Sequence, residues 1–198
     1  MKVRHVFLAS VCAAFLAASA AVSGPAAAAQ SPSASLAQQA YKALSAGDNE
    51  AAIAAYTQAI ESRELEPEVL ANALLNRALG YQNLGQHPQA IDDYTTALKL
   101  DAMSPKLRAM ALYNRALSYQ KVQRPALAIE DYTGALFLDA TFSYAYYGRA
   151  NLLRDSGQYL FALTDYEKAL RYEHPDPARV YYNMAMTYES LQRPQDER

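Results

Sequence analysis

Three arginines recur in this 198-residue chain with an aspartate sixteen residues after each: Arg77 with Asp93, Arg115 with Asp131, and Arg149 with Asp165. A guanidinium is always charged, so an arginine drawn into a fold requires a carboxylate, and these spacings supply one each time. Where the pattern lapses it lapses on both sides: Gln39 stands in the first arginine position with Ala55 in the matching acid position, and Met184 stands in the last. Pairing across neighbouring copies would strand Arg77 and Asp165, so the spacing predicts three ion pairs inside their own copies. The other chemistry open to these residues is a row of arginines for anionic ligands.

Two further rows run beside the arginines. One contains Gln38, Asn76, Asn114, Gly148 and Asn183, the other Ala37, Leu75, Tyr113, Tyr147 and Tyr182. An Asn side chain offers a donor and an acceptor to a peptide backbone, and tyrosine gives amphipathic contact area at low entropy cost. Catalysis has no such constellation. His87 and His174 are the only histidines after residue 5, and the prolines that follow them predict solvated turns. No Cys, His pair or Gly-rich loop argues for a nucleophile, metal site or phosphate cradle, so neither enzyme nor cofactor is expected. Glu61, Glu64, Glu66 and Glu68 read as a charged connector between helices.

These residues recur because the chain does. Ala71 to Leu100 matches Leu36 to Ile60, Ala109 to Leu138 and Ser143 to Tyr172, and a fifth copy, from Ala178, stops halfway. Tyr56, Tyr94, Tyr132 and Tyr166 follow one another at 38, 38 and 34 residues, each with an alanine four before and three after. A period in this range marks stacked units that are not stable singly. Short turns at Gly47, 84–87 and 156–159 force antiparallel helix pairs, and Pro67, Pro105 and Asp176-Pro177 open first helices. Four extra residues over a 34-residue step lengthen a helix by about one turn without rotating its face.

Composition agrees. The chain is 52% hydrophobic and 19% charged, much of the apolar share is alanine, Trp is absent and Gly scarce, which favours an all-α fold. A net charge of −2 gives no general attraction to nucleic acid or anionic lipid. Residues 1–29 are set apart: Lys2, Arg4 and His5 precede an apolar run from Val6 to Ala18 and then small residues. This reads as a secretory signal peptide, cleaved after Ala29 or, second, after Ala20, and too short to stay as an anchor. Val11 before Cys12 argues against a lipoprotein signal. Cleavage would leave 16 basic against 20 acidic residues, a charge of −4, and no thiol, which suits a periplasmic or secreted protein.

The motif Leu74-x-x-Arg77-Ala78-x-x-Tyr81, followed by Ala90 and Tyr94, resembles the tetratricopeptide repeat family. The resemblance implies a right-handed α-solenoid over 36–191 after a linker at 30–35. Its repeats fall at about 33–66, 67–103, 104–140 and 141–175, with a final helix at 176–191 and a polar tail at 192–198. Small residues at Ala40, Ala78, Ala116, Ala150 and Ala185 suit close helix crossings. Function in the family lies on the concave surface, where asparagines often hold extended peptides. That carries over to a groove of Asn72, Leu75, Asn76, Tyr113, Asn114, Lys121, Tyr144, Tyr147, Asn151, Arg154, Tyr182 and Asn183.

One subclass grips C-terminal carboxylates with added cations. Here Tyr144 and Gly148 stand where its third-repeat cations would be, and Lys121, Arg154 and Arg179 lie on or near the same surface. The reading is an exported, non-enzymatic scaffold for a protein or peptide. Its rivals are a self-associating subunit using the last helix, where Tyr181, Met184, Ala185 and Tyr188 are expected to be only partly covered, and, further off, an accessory subunit of an envelope enzyme. No nucleic-acid partner, retained anchor or cofactor is expected.

Overall fold

The computed structural model describes residues 31–192, so the expected signal peptide lies outside the described residues. Nine helices form the described part: α1 Pro32–Ser45, α2 Asn49–Glu61, α3 Pro67–Asn83, α4 His87–Lys99, α5 Pro105–Lys121, α6 Pro125–Leu138, α7 Ser143–Asp155, α8 Tyr159–Arg171 and α9 Pro177–Gln192. Proline supplies the preset first-turn φ of α1, α3, α4, α5 and α6. Hydroxyl and carboxylate caps close open N–H groups at α1, α2 and α5: Ser31 accepts from Ala34, Asp48 from Ala51 and Ser104 from Leu107.

The Ser31-Pro32 start corrects the expected linker, because α1 begins four residues before Leu36 and most of 30–35 is helix. Gln192, expected in the tail, is the last residue of α9. The inserted residues do lengthen helices: α3 and α5 have 17 residues where α7 has 13.

Each first helix packs against its own second helix, and each second helix against the next first helix. First helices also touch along the stack, α1 with α3, α3 with α5 and α7 with α9. They therefore form the inner layer of a right-handed α-solenoid of antiparallel helix pairs. Between the layers lie Tyr56, Tyr94, Tyr132 and Tyr166, each no more than 1% exposed and bracketed by fully buried alanines. An alanine opposite an alanine lets the paired backbones close, and each ring fills the space left between crossings. Burying each ring stabilises by about 2 kcal/mol, so truncating one to Ala would open a cavity and cost more than that.

Candidate binding groove

The arginines decide which polar groups remain for a ligand. Arg77 Nε and Nη2 donate to the two oxygens of Asp93, both at 2.7 Å, and Arg115 does the same to Asp131 at 2.7 Å. Arg149 meets Asp165 at 2.7 and 2.9 Å. Each fork thus closes within its own helix pair, with the carboxylates 4–9% exposed. Bidentate geometry of this kind is the strong form of the charged hydrogen bond.

The third guanidinium nitrogen adds a contact absent from the sequence reading. Nη1 of Arg77, Arg115 and Arg149 donates to Thr57, Thr95 and Thr133 of the preceding second helix, at 3.0, 3.0 and 2.9 Å. Each arginine therefore ties two successive units. A signal was available: each threonine directly follows a core tyrosine, and Glu167 takes that place where the next unit has Met184 instead of arginine. With their donors turned to Asp and Thr, the arginines do not form a free cationic row.

The expected groove residues separate into three sets. Leu75 and Asn114, 4% and 6% exposed, are not lining residues. Leu75 packs with Ala78 and Tyr94 in the core. Asn114 is covered, and its backbone carbonyl accepts from Gln82, whose side-chain oxygen in turn accepts from the Tyr94 hydroxyl at 3.1 Å. Asn72 and Lys121 are exposed, and Asn76 lies against the Tyr56 hydroxyl, which closes no full hydrogen bond.

A second set is aromatic. Tyr113 tilts against Phe142 at 5.0 Å and Tyr132 at 5.8 Å, with Tyr144 edge-on at 6.2 Å. Tyr144 and Tyr147 then flank His174 at 5.1 and 4.7 Å. His174 is only 8% exposed, which corrects its expected place in a solvated turn. Its Nδ1 accepts from the Asp176 backbone N–H at 3.2 Å, so the ring anchors the entry to α9. Burial lowers its pKa from 6.5. His87 is likewise drawn in: it is the first residue of α4, half-buried, with Nδ1 3.4 Å from Ser118 Oγ.

Gly148 explains why no asparagine stands in this part of the row. A Cβ there would lie 2.5 Å from Tyr132 Cζ, so only glycine admits the ring tip.

The third set forms the site. Asn183 Nδ2 donates to Asn151 Oδ1 and to the Tyr147 hydroxyl, both at 2.9 Å, and the Tyr166 hydroxyl donates to Asn151 Oδ1 at 2.6 Å. Burial pushes Tyr166 up to about 12, so it stays a donor at any physiological pH. This network fixes both amides in one orientation and leaves the Asn151 Nδ2 donors and the Asn183 Oδ1 acceptor unspent. Two open concavities of about 520 and 400 Å³ meet here, both lined by Asn183, Arg154 and Asp155. Gln120 borders the larger, and Tyr182 and Met186 border the smaller. Arg154 is held by Asp155 at 2.9 and 3.1 Å, an ion pair exposed enough for a ligand carboxylate to replace.

Gln120 repeats Gln82 of the unit before, whereas Tyr159 and Met186, which line the smaller concavity, have no equivalent in the other units; none of the three was singled out in the sequence. Among the described residues no His, Cys, Asp or Glu cluster has the geometry to hold a metal.

Tetratricopeptide-repeat models match residues 71–102 and 147–198. The chain carries tetratricopeptide repeats. Solved structures of similar fold include MamA, 23% identical over 80% of this chain and 82% of that one, with a TM-score of 0.71. Another is YrrB, described as a TPR protein with an unusual peptide-binding site, 21% identical over 81% of this chain and 78% of that one, TM-score 0.67. The second TPR domain of human RPAP3, solved with the HSP70 peptide SGPTIEEVD, is 26% identical over 62% of this chain and 98% of that one, TM-score 0.55. No curated protein matches the chain in sequence. Tetratricopeptide repeats are characteristic of protein-interaction and peptide-binding scaffolds.

Proposed function

We propose that this protein is a non-enzymatic, exported scaffold that holds an extended segment of a partner protein in the groove between α5, α7 and α9. The observation that carries the reading is the Asn151–Asn183 pair. It presents one free donor side and one free acceptor side at the meeting of two concavities, the complement of a single peptide unit. Tyr182 and Met186 offer an apolar edge to a side chain of that segment, and Arg154 offers a cation that Asp155 holds only at the surface. The peptide-binding site described for YrrB and the peptide complex of the RPAP3 domain support the class of ligand. Export rests on the charge and apolar run of residues 1–18, and no helix among the described residues is long and apolar enough to cross a membrane.

Selection from a displayed library of linear peptides tests this directly. The wild type should enrich related sequences that an Arg154→Ala, Asn151→Ala variant no longer retains while keeping its helical signal. Enriched peptides that bind both proteins equally would move the site elsewhere.

A further inference from the structure

Five of the nine large apolar side chains exposed among the described residues lie on α9: Tyr181, Tyr182, Met186, Tyr188 and Leu191. Tyr181, Tyr182 and Tyr188 are 61%, 66% and 44% exposed, a concentration of aromatic surface that soluble chains do not leave bare without a use. Between them run Ala178 and Ala185, two turns apart and also exposed. In α3 and α5 the equivalent residues, Ala71 with Ala78 and Ala109 with Ala116, are at most 1% exposed, because the second helix of the same unit lies antiparallel across them. The internal repeats thus show what closes this seam: a helix presenting a small residue, a tyrosine four places on and a small residue three beyond, as Ala90, Tyr94 and Ala97 do in α4.

The helix α9 carries that same stripe on its own bare face, as Ala178, Tyr182 and Ala185. It is therefore both the seam and the helix that fits it.

We propose that α9 is a self-association surface whose occupant is α9 of a second copy, antiparallel about a two-fold axis between Tyr181 and Tyr182. In that register Ala178 of one copy faces Ala185 of the other, and each Tyr181 lies beside its counterpart's Tyr182. The arrangement reproduces between chains the helix pairing found within each unit, and a two-fold contact closes on itself. Six tyrosines brought together in this way cover on the order of 1,000 Å², near the lower limit for a specific interface, so the dimer forms in the micromolar range. The surface adjoins the Asn151–Asn183 groove and shares Tyr182 with its smaller concavity.

Sedimentation of the protein from about 1 to 500 μM tests the proposal. The weight-average mass should climb from monomer to dimer, and Ala185→Glu, an exposed change that leaves the helix and the thermal midpoint intact, should hold it at monomer. Register is read by cysteines in a Cys12→Ser background. Mixed Ala178→Cys and Ala185→Cys chains should form a cross-linked heterodimer on oxidation, whereas neither variant alone should, its own residues lying about 10 Å apart along the helix pair. A monomer at every concentration, a dimer indifferent to Ala185→Glu, or cross-linking by either single variant alone would overturn it.

Discussion

The first three unit-to-unit junctions and the last one are joined by different chemistry. Up to α7 each junction is held by an arginine that spends its fork on aspartate and its remaining nitrogen on a threonine of the unit before. At the last junction there is neither the arginine nor the threonine; Asn183 of α9 bonds instead to Asn151 and Tyr147 of α7, and Tyr166 of α8 joins them at Asn151. The charged junctions leave little for a ligand, whereas the amide junction keeps unspent donors and an acceptor beside open space. On the proposed function, cohesion and recognition fall to different junctions of one repeated frame.

The contrast can be broken most forcefully in the middle of the stack. Asp131→Ala leaves the Arg115 guanidinium partly buried without its carboxylate, and urea unfolding should show a loss of about 3 kcal/mol. Replacing both, as Arg115→Met with Asp131→Leu, should return most of it, because the strand of charge and not the missing bond carries the cost. Gly148→Ala should cost about 2 kcal/mol through the collision with Tyr132, and Tyr132→Phe should not rescue it, since the ring carbon at 2.5 Å remains. A smaller effect, about 1 kcal/mol, is expected from Thr95→Val, which removes the inter-unit bond of Arg115 and leaves its fork in place.

Acid should sharpen the comparison from the other side. Because burial lowers the pKa of His174 below 6.5, the unfolded chain takes up the proton first. Stability from this residue is complete above pH 6.5 and declines as the pH falls from there through the folded value. His174→Asn should flatten that part of a pH–stability curve measured by thermal melts.

The division between the two ends was half legible in the sequence. The arginine and aspartate positions vary together from copy to copy, which is enough to pair them by elimination. The threonines vary in step as well, but a threonine beside a core tyrosine reads as ordinary helix surface until its partner is seen. Burial within a row was not legible: Asn76 and Asn114 occupy one repeat position, yet only the second is covered, because tilt and neighbours decide exposure where spacing does not. His174 was misplaced because a proline after a histidine signals a turn without saying whether that turn folds back onto tyrosines. The Asn151 amide lay in the expected groove, but its lock with Asn183 and Tyr166 requires side-chain geometry that no spacing encodes.

The most direct measurement is a titration of the nitrogen-15-labelled protein with a library-selected peptide, following side-chain N–H signals. Shifts are expected in the Asn151 and Asn183 amides and in Arg154, with the Nε–H signals of Arg77, Arg115 and Arg149 unmoved. Shifts in those three arginines with Asn151 and Asn183 silent would contradict it, placing recognition on the junctions assigned here to cohesion.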